Sequence, residues 1–435
     1  MPPSNPPCLL YVNDVRVLAS LKQGSDLESS YRYERVTLEK LQLTEHLMHD
    51  IAEGPALDLS RQDEFVLHRP GNHHIEAQYV VNNRGRLSLL HKAWDDLHEV
   101  LKHIPVAHLS PRVQAFDQVF RQPDHLLEST KAHHSAIQQA VADSRLAGIG
   151  RPKEAFHSPL WPPTQKLTFT EKEAQEFLST TNQYLRYLAA VLKHADVKKA
   201  QRSRQKQAEK HQSTLQLLFK KTLEFASPVL LIYLDLEGPN ISKINDAEAN
   251  YDEGVENESK QAYQQLNEAR KAFLKPRNHA ALFNGLISYA WKYRYSKGRG
   301  LTCMMVLFYD ANRETQRYSL THALGNHWKS VAGIGSNYSS PITSTNNVTQ
   351  EQYFGLLEAN DPDTKAGLEV LARFMGLYQL YVKPTAPKYM NTFDTSRVPG
   401  VAITKRKPRR KKPKQANQVA GKASQEKSPA QKKDR

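Results

Sequence analysis

The chain has 435 residues, 39% of them hydrophobic, and it holds no run of about 18 apolar residues able to cross a bilayer. Its two cysteines, Cys8 and Cys303, exclude a disulfide framework and a four-thiolate metal site. The formal charge of +15 is unevenly placed: thirteen Lys/Arg stand against Glu426 and Asp434 in residues 405–435, so the end of the chain carries +11 and residues 1–404 about +4.

The first 150 residues have helical patterns, among them "LSLLHKAWDDLHEVLKHI" and "SAIQQAVADSRL". The opening "MPPSNPPCLLYVNDVRVL" lacks a basic n-region and interrupts its apolar patch with Asn13 and Asp14, so a secretory leader is not expected and a cytoplasmic location is. A hairpin is expected in "EAQYVVNNRGRLSLL", with Asn82, Asn83, Arg84 and Gly85 as its turn. Adjacent histidines at 73–74 and 133–134 point to opposite sides of a strand, or diverge on a helix, and are badly placed to share an ion.

Residues 151–224 read as a Pro-rich linker and a basic helix. Pro152, Pro159, Pro162 and Pro163 exclude regular structure, after which Thr170 and Glu173 form a capping-box pattern. The helix it opens has an apolar face through Phe177, Tyr184, Leu188 and Val191 and continues into "KHADVKKAQRSRQKQAEKHQ". Such a run is either a solvated charged face or a phosphate-contacting surface.

From about residue 225 to 400 the pattern alternates. "SPVLLIYLDLEG" reads as a strand, "ESKQAYQQLNEARKAFLK" as a helix, and "ISYAWKYRYSKGRGLTCMMVLFYDAN" as two strands around a turn. Helices come next at "QRYSLTHALGNHWKSVAG" and "TKAGLEVLARFMGLYQLYVK", with "GIGSN" (333–337) as a turn between them rather than a phosphate loop. This order implies an α+β fold, an antiparallel sheet with helices packed on one face, preceded by a largely helical region. Beyond residue 400, "TKRKPRRKKPK" and the remaining residues to 435 cannot bury enough apolar surface to offset their ordering entropy and are expected to be a disordered basic tail. Its cations Lys405, Arg406, Lys407, Arg409, Arg410, Lys411 and Lys412 give it affinity for polyanions by counterion release.

The segments "VLLIYLDLEG", "ISYAWKYRYSKGRGLTCMMVLFYDAN", "LGNHWKSVAGIGSNY" and "LARFMGLYQLYVKPTAPKYMNTFDTSR", with "LSPRVQAFDQVF" upstream, resemble the YagK/YfjJ-type, inovirus gene-two replication-initiator-like family over roughly residues 105–400. The resemblance implies a rolling-circle-initiator sheet in which two histidines and a carboxylate hold a divalent cation and a tyrosine attacks a phosphodiester. The ion would stabilise charge on the phosphate and the tyrosine would form a covalent phosphotyrosine. Thr302 and Met304 stand here at the two histidine positions, Arg294 stands near the family's glutamate, and Asp235 is the one carboxylate retained. A hydroxyl, a thioether and a guanidinium do not suit Mg²⁺ or Mn²⁺. An Asp235–Arg294 salt bridge is expected in place of the ion.

Tyr378, Tyr381 and Lys383 occupy the helix position of the family's nucleophile, although core packing accounts for the tyrosines equally well. In "YAWKYRYSKGR", Lys292, Arg294, Tyr295, Lys297 and Arg299 mix cations with rings in a way that suits single-stranded DNA, while burial of Trp291, Tyr293 and Tyr295 on one strand face is the alternative. The resemblance implies a DNA-binding protein of a phage-derived or integrative element without metal-dependent nicking, its partner single-stranded or origin-like DNA and no cofactor required. Two alternatives stand beside it: a tyrosine nickase with a non-standard Mg²⁺ or Mn²⁺ site, and a scaffold protein whose tail recruits nucleic acid.

Overall fold

The computed structural model describes residues 27–54, 59–68, 78–82, 85–101, 104, 106–121, 168–239, 253–278, 281–296, 300–312, 317–340, 355–384 and most of 386–399. The Pro-rich stretch, both histidine pairs, Cys8, Lys297, Arg299 and the tail cations Lys405 to Lys412 lie outside them.

In chain order the first elements are α1 (Leu27–Glu53), α2 (Arg61–Glu64), β1 (Phe65–His68), β2 (Gln78–Val81), α3 (Arg86–Leu101), α4 (Pro111–Arg121) and β3 (Thr168–Phe169). The helices α5 (Glu171–Lys193) and α6 (Ala195–Phe225) come after them. On α3 the buried residues Leu87, Leu90, Trp94 and Leu97 recur at helical spacing, and Trp94 meets Phe116 of α4 edge to face at 5.7 Å.

The hairpin expected at Asn82–Gly85 is not formed. β2 pairs backward with β1 and forward with β3, and Gly85 leads directly into α3. The cause is Glu64: its carboxylate accepts from the backbone N–H groups of Arg86 (3.1 Å) and Leu87 (2.8 Å), which would otherwise be unsatisfied at the helix start. A Cβ at position 85 would fall 2.3 Å from the same carboxylate, so a larger residue there would push Glu64 off the helix start.

Thr170 and Glu173 close the capping box as read. The helix does not run on unbroken, however. His194 ends α5 and starts α6, its Nδ1 accepting from the Asp196 backbone N–H.

The remaining elements are β4 (Val229–Glu237), α7 (Glu253–Leu274), β5 (Leu286–Ser296), β6 (Gly300–Asp310), α8 (Arg317–Ala332), β7 (Asn337–Ser339), β8 (Leu356–Leu357), α9 (Pro362–Leu377) and β9 (Phe393–Thr395). They build an antiparallel sheet in the order β7-β4-β6-β5-β9, with β8 added to β4. The turn after α8 uses Gly333 and Gly335 in left-handed conformations, as the "GIGSN" reading requires.

Helices cover both faces of the sheet, not one. On the first face, Phe219 of α6 packs on Phe308, Thr222 bonds Ser288, and α9 lies beside α6. On the second, Arg270 of α7 stacks 3.7 Å over Trp291, and Trp328 of α8 donates to the Glu237 carbonyl. Double coverage explains why β4 and β6 are buried along nearly their whole length rather than on alternate residues. Each fully buried Leu, Val, Met or Phe there contributes roughly 1.5–3 kcal/mol before chain entropy is counted.

One contiguous hydrophobic core runs from Leu38 to Val382. The described residues up to 399 belong to a single compact unit. α6 is the spine: buried Arg204 donates from Nε to the Gln379 carbonyl and from its two Nη atoms to the carbonyls of Leu109 and His108. α9 approaches α6 so closely that a Cβ on Gly376 would sit 2.6 Å from the Gln212 Cβ.

Candidate functional site

Strand register brings five of the singled-out residues together at the sheet centre. Asp235 lies opposite Met304, which lies opposite Lys292; Glu237 lies opposite Thr302, which lies opposite Arg294. Residues directly opposite in antiparallel strands share a face, so all six lie on the face that α6 and α9 cover.

Arg294 reaches across β6, over the positions of Thr302 and Met304, and its Nη2 donates to Asp235 Oδ2 at 2.8 Å. The other carboxylate oxygen accepts from Tyr233 OH at 2.8 Å. Asp235, Arg294, Thr302 and Met304 are at most 1% exposed by residue or side chain. The expected ion pair is thus present and closed on both sides by protein. Thr302 Oγ1, beside it, is buried without a hydrogen-bond partner.

The donors gathered here do not suit a divalent cation. One carboxylate oxygen is taken by a guanidinium and the other by a phenol, and the strand neighbours on that face are the Thr302 hydroxyl, the Met304 thioether, the Lys292 ammonium and the Glu237 carboxylate, a set in which two cations stand beside two acids. Among the described residues no three His, Cys, Asp or Glu side chains converge on a possible metal position.

A second group of cations lies on the same face and was not anticipated as a cluster. Lys292 is 1% exposed and donates from Nζ to the carbonyls of Met375 and Gly376 at the end of α9. A cation is favoured at the negative end of a helix, and here it also satisfies two terminal carbonyls. Burial pushes the Lys292 ammonium well below its ordinary value, and Arg204 and Lys383 push it the same way. Lys383 donates to Gln207 at 2.8 Å and is lowered by burial and Arg204. His211, stacked 4.0 Å from Phe393, is lowered to about 3 by burial, Lys292, Lys383 and Lys210. His108 is lowered to about 4 by burial and then Arg204. The only sign of this cluster in the sequence was rotational: Arg204 falls on the same helix face as Val197, Ala208 and Leu215, all buried.

The nucleic-acid contacts expected on β5 are corrected by these positions. Lys292, Arg294 and Tyr295 are 1%, 0% and 5% exposed and lie inside the core. Trp291, Tyr293 and Tyr295 are buried as well, with Tyr293 OH accepting from Arg270 Nε at 3.0 Å. The alternation in "YAWKYRYSKGR" is that of a strand between two helical layers, polar under α6 and α9 and aromatic under α7.

Tyr378 and Tyr381 are likewise in the core, 1% and 3% exposed. α9 ends at Leu377, and Tyr378–Leu380 is a 3-10 turn from which Tyr378 OH donates to the Tyr295 carbonyl. Lys383 therefore does not end an α-helix; it comes after Val382, which bridges Leu109.

The basic run on α6 divides. Arg204 is buried, whereas Lys199, Arg202, Lys206 and Lys210 are exposed. No described helix is long and apolar enough to cross a membrane. Comparison of the chain with protein-family models, curated proteins and solved structures finds no match to any of them.

Proposed function

We propose that this chain is a DNA-binding protein of a phage-derived or integrative element, related to rolling-circle initiators, that does not carry out metal-dependent nicking. The observation that carries the reading is the buried Asp235–Arg294 pair, which puts a fixed positive charge across the strand where the resemblance expects metal ligands. A guanidinium bound to the one retained carboxylate leaves neither charge nor coordination sites for Mg²⁺ or Mn²⁺. Core burial of Tyr378 and Tyr381 supports the same reading, since a nucleophile must reach the phosphate it attacks. The net charge of +15, concentrated beyond residue 404, supports DNA as the partner through counterion release.

The test is to incubate the full chain with a labelled single-stranded oligonucleotide and Mn²⁺ or Mg²⁺, then run native and denaturing gels in parallel. A retarded band on the native gel with an intact, unattached strand on the denaturing gel is expected. A covalent adduct lost in Tyr378→Phe or Tyr381→Phe would instead establish a tyrosine nickase. Absence of any retarded band would remove DNA as the partner.

A further inference from the structure

The exposed cations of α6 form a single row. At about 100° per residue, Lys199, Arg202, Lys206 and Lys210 fall within an arc of about 80° on the side opposite Val197, Arg204, Ala208 and Leu215. Along the helix axis they span about 17 Å, a length over which one strand of a duplex carries about five phosphates. The other residues on that side within the row's length are Ala195, Ser203 and Ser213, which are small and exposed, and Glu209 at the edge.

None of the four forms an ion pair with a carboxylate among the described residues. Glu209, the nearest acid on the helix flank, accepts from Gln205 at 3.0 Å. By contrast Lys220 and Lys221, farther along α6, are both paired with Glu224. Among the described residues the row is therefore a strip of cations without ion-pair partners, four against the one flanking Glu209, held straight by a helix whose other side is locked into the core by Arg204.

We propose that this row is a track for a nucleic-acid phosphate backbone, a contact surface of the folded body distinct from the tail. The inference rests on the DNA-binding reading and adds the place where the body engages the strand. A nucleic acid fits better than an anionic membrane, because a helix that lies on a bilayer needs several large apolar residues beside its cations and this side of α6 offers only Leu217, two turns beyond Lys210. Uniform side-chain charge without rings beside it reads backbone rather than base, so the expected affinity has little sequence preference.

The experiment compares the full chain with two variants of equal charge change. One carries Lys199→Gln, Arg202→Gln, Lys206→Gln and Lys210→Gln; the other carries Lys172→Gln, Lys271→Gln, Lys275→Gln and Lys365→Gln, all exposed in the folded chain. Binding to single-stranded and duplex oligonucleotides of one length is measured by fluorescence anisotropy across a salt series. The row variant is expected to bind about 10- to 100-fold more weakly near 0.1 M salt, with a log–log salt slope shallower by about 3, while the second variant stays near the parent. The far-UV spectrum and thermal midpoint should match the parent in both.

If the row variant binds as tightly as the parent, the track is wrong and binding belongs to the tail. If no form of the chain binds either oligonucleotide, the DNA-binding reading falls as well. Should row-dependent binding appear with phosphatidylserine vesicles and not with oligonucleotides, the occupant is a membrane and the inference is overturned.

Discussion

Two stretches of this chain look alike in composition and behave in opposite ways. In β5, Lys292 and Arg294 sit between rings and are sealed in the core; in α6, Lys199, Arg202, Lys206 and Lys210 sit among small and polar residues and face solvent. A cation beside aromatic residues suggests a nucleic-acid surface, yet here that combination marks the interior and the plainer run marks the outside. The difference lies in what covers each element. β5 is pressed between α6 and α9 on one side and α7 on the other, so its charges find partners within the protein: Asp235 for Arg294, and the carbonyls of Met375 and Gly376 for Lys292. Among the described residues α6 is covered on one side only along the row, and its buried cation, Arg204, bonds backbone carbonyls.

The largest expected effect breaks the buried half of this comparison. Asp235→Leu or Arg294→Met alone should destabilise the fold by about 3–5 kcal/mol, because each leaves a charge buried without its counter-charge. The pair Asp235→Leu with Arg294→Met should cost far less than the two changes added together, read from urea unfolding of all four proteins. Strict additivity would mean that the two side chains do not act as a unit.

A smaller effect sharpens it through pH. Burial and neighbouring cations hold His211 at about 3 and His108 at about 4, both below the ordinary value of 6.5. The unfolded chain therefore takes up protons that the folded chain refuses. Stability from this source is complete above about pH 6.5 and declines as pH falls toward the folded values, by about 1.4 kcal/mol per pH unit for each histidine. Urea midpoints at pH 7, 6 and 5 should show the decline, and His211→Phe should remove about half of it. An unchanged slope in that variant would place His211 in water.

Much of the fold was legible in the chain. The succession strand, helix, strand, strand, helix comes from the apolar runs at 229–237, 286–296 and 300–310 and the amphipathic spacing between them. Thr170 with Glu173 announced the start of α5, because both halves of that cap lie within one turn. The partnership of Asp235 and Arg294 was also foreseeable, since two complementary charges were expected at the same place on one sheet.

The illegible part depended on distant residues. "VVNNRG" has the composition of a hairpin turn, but Glu64, some 22 positions earlier, satisfies the first N–H groups of a helix instead. Whether β5 was covered on one face or two could not be read from its own alternation, because α6 and α7 come from opposite sides of β4 in the sequence. The cluster of Arg204, His211, Lys292 and Lys383 needed the same knowledge, as its members come from α6, β5 and the segment after α9.

One measurement tests both halves of the comparison together: acylation of lysines in the native full chain, mapped by mass spectrometry with and without a bound oligonucleotide. Lys199, Lys206 and Lys210 should react readily in the free protein and become protected when the oligonucleotide is present, while Lys292 stays unreacted throughout. Ready reaction of Lys292 and its protection by the oligonucleotide, with the three α6 lysines indifferent, would contradict the account and put the strand on β5.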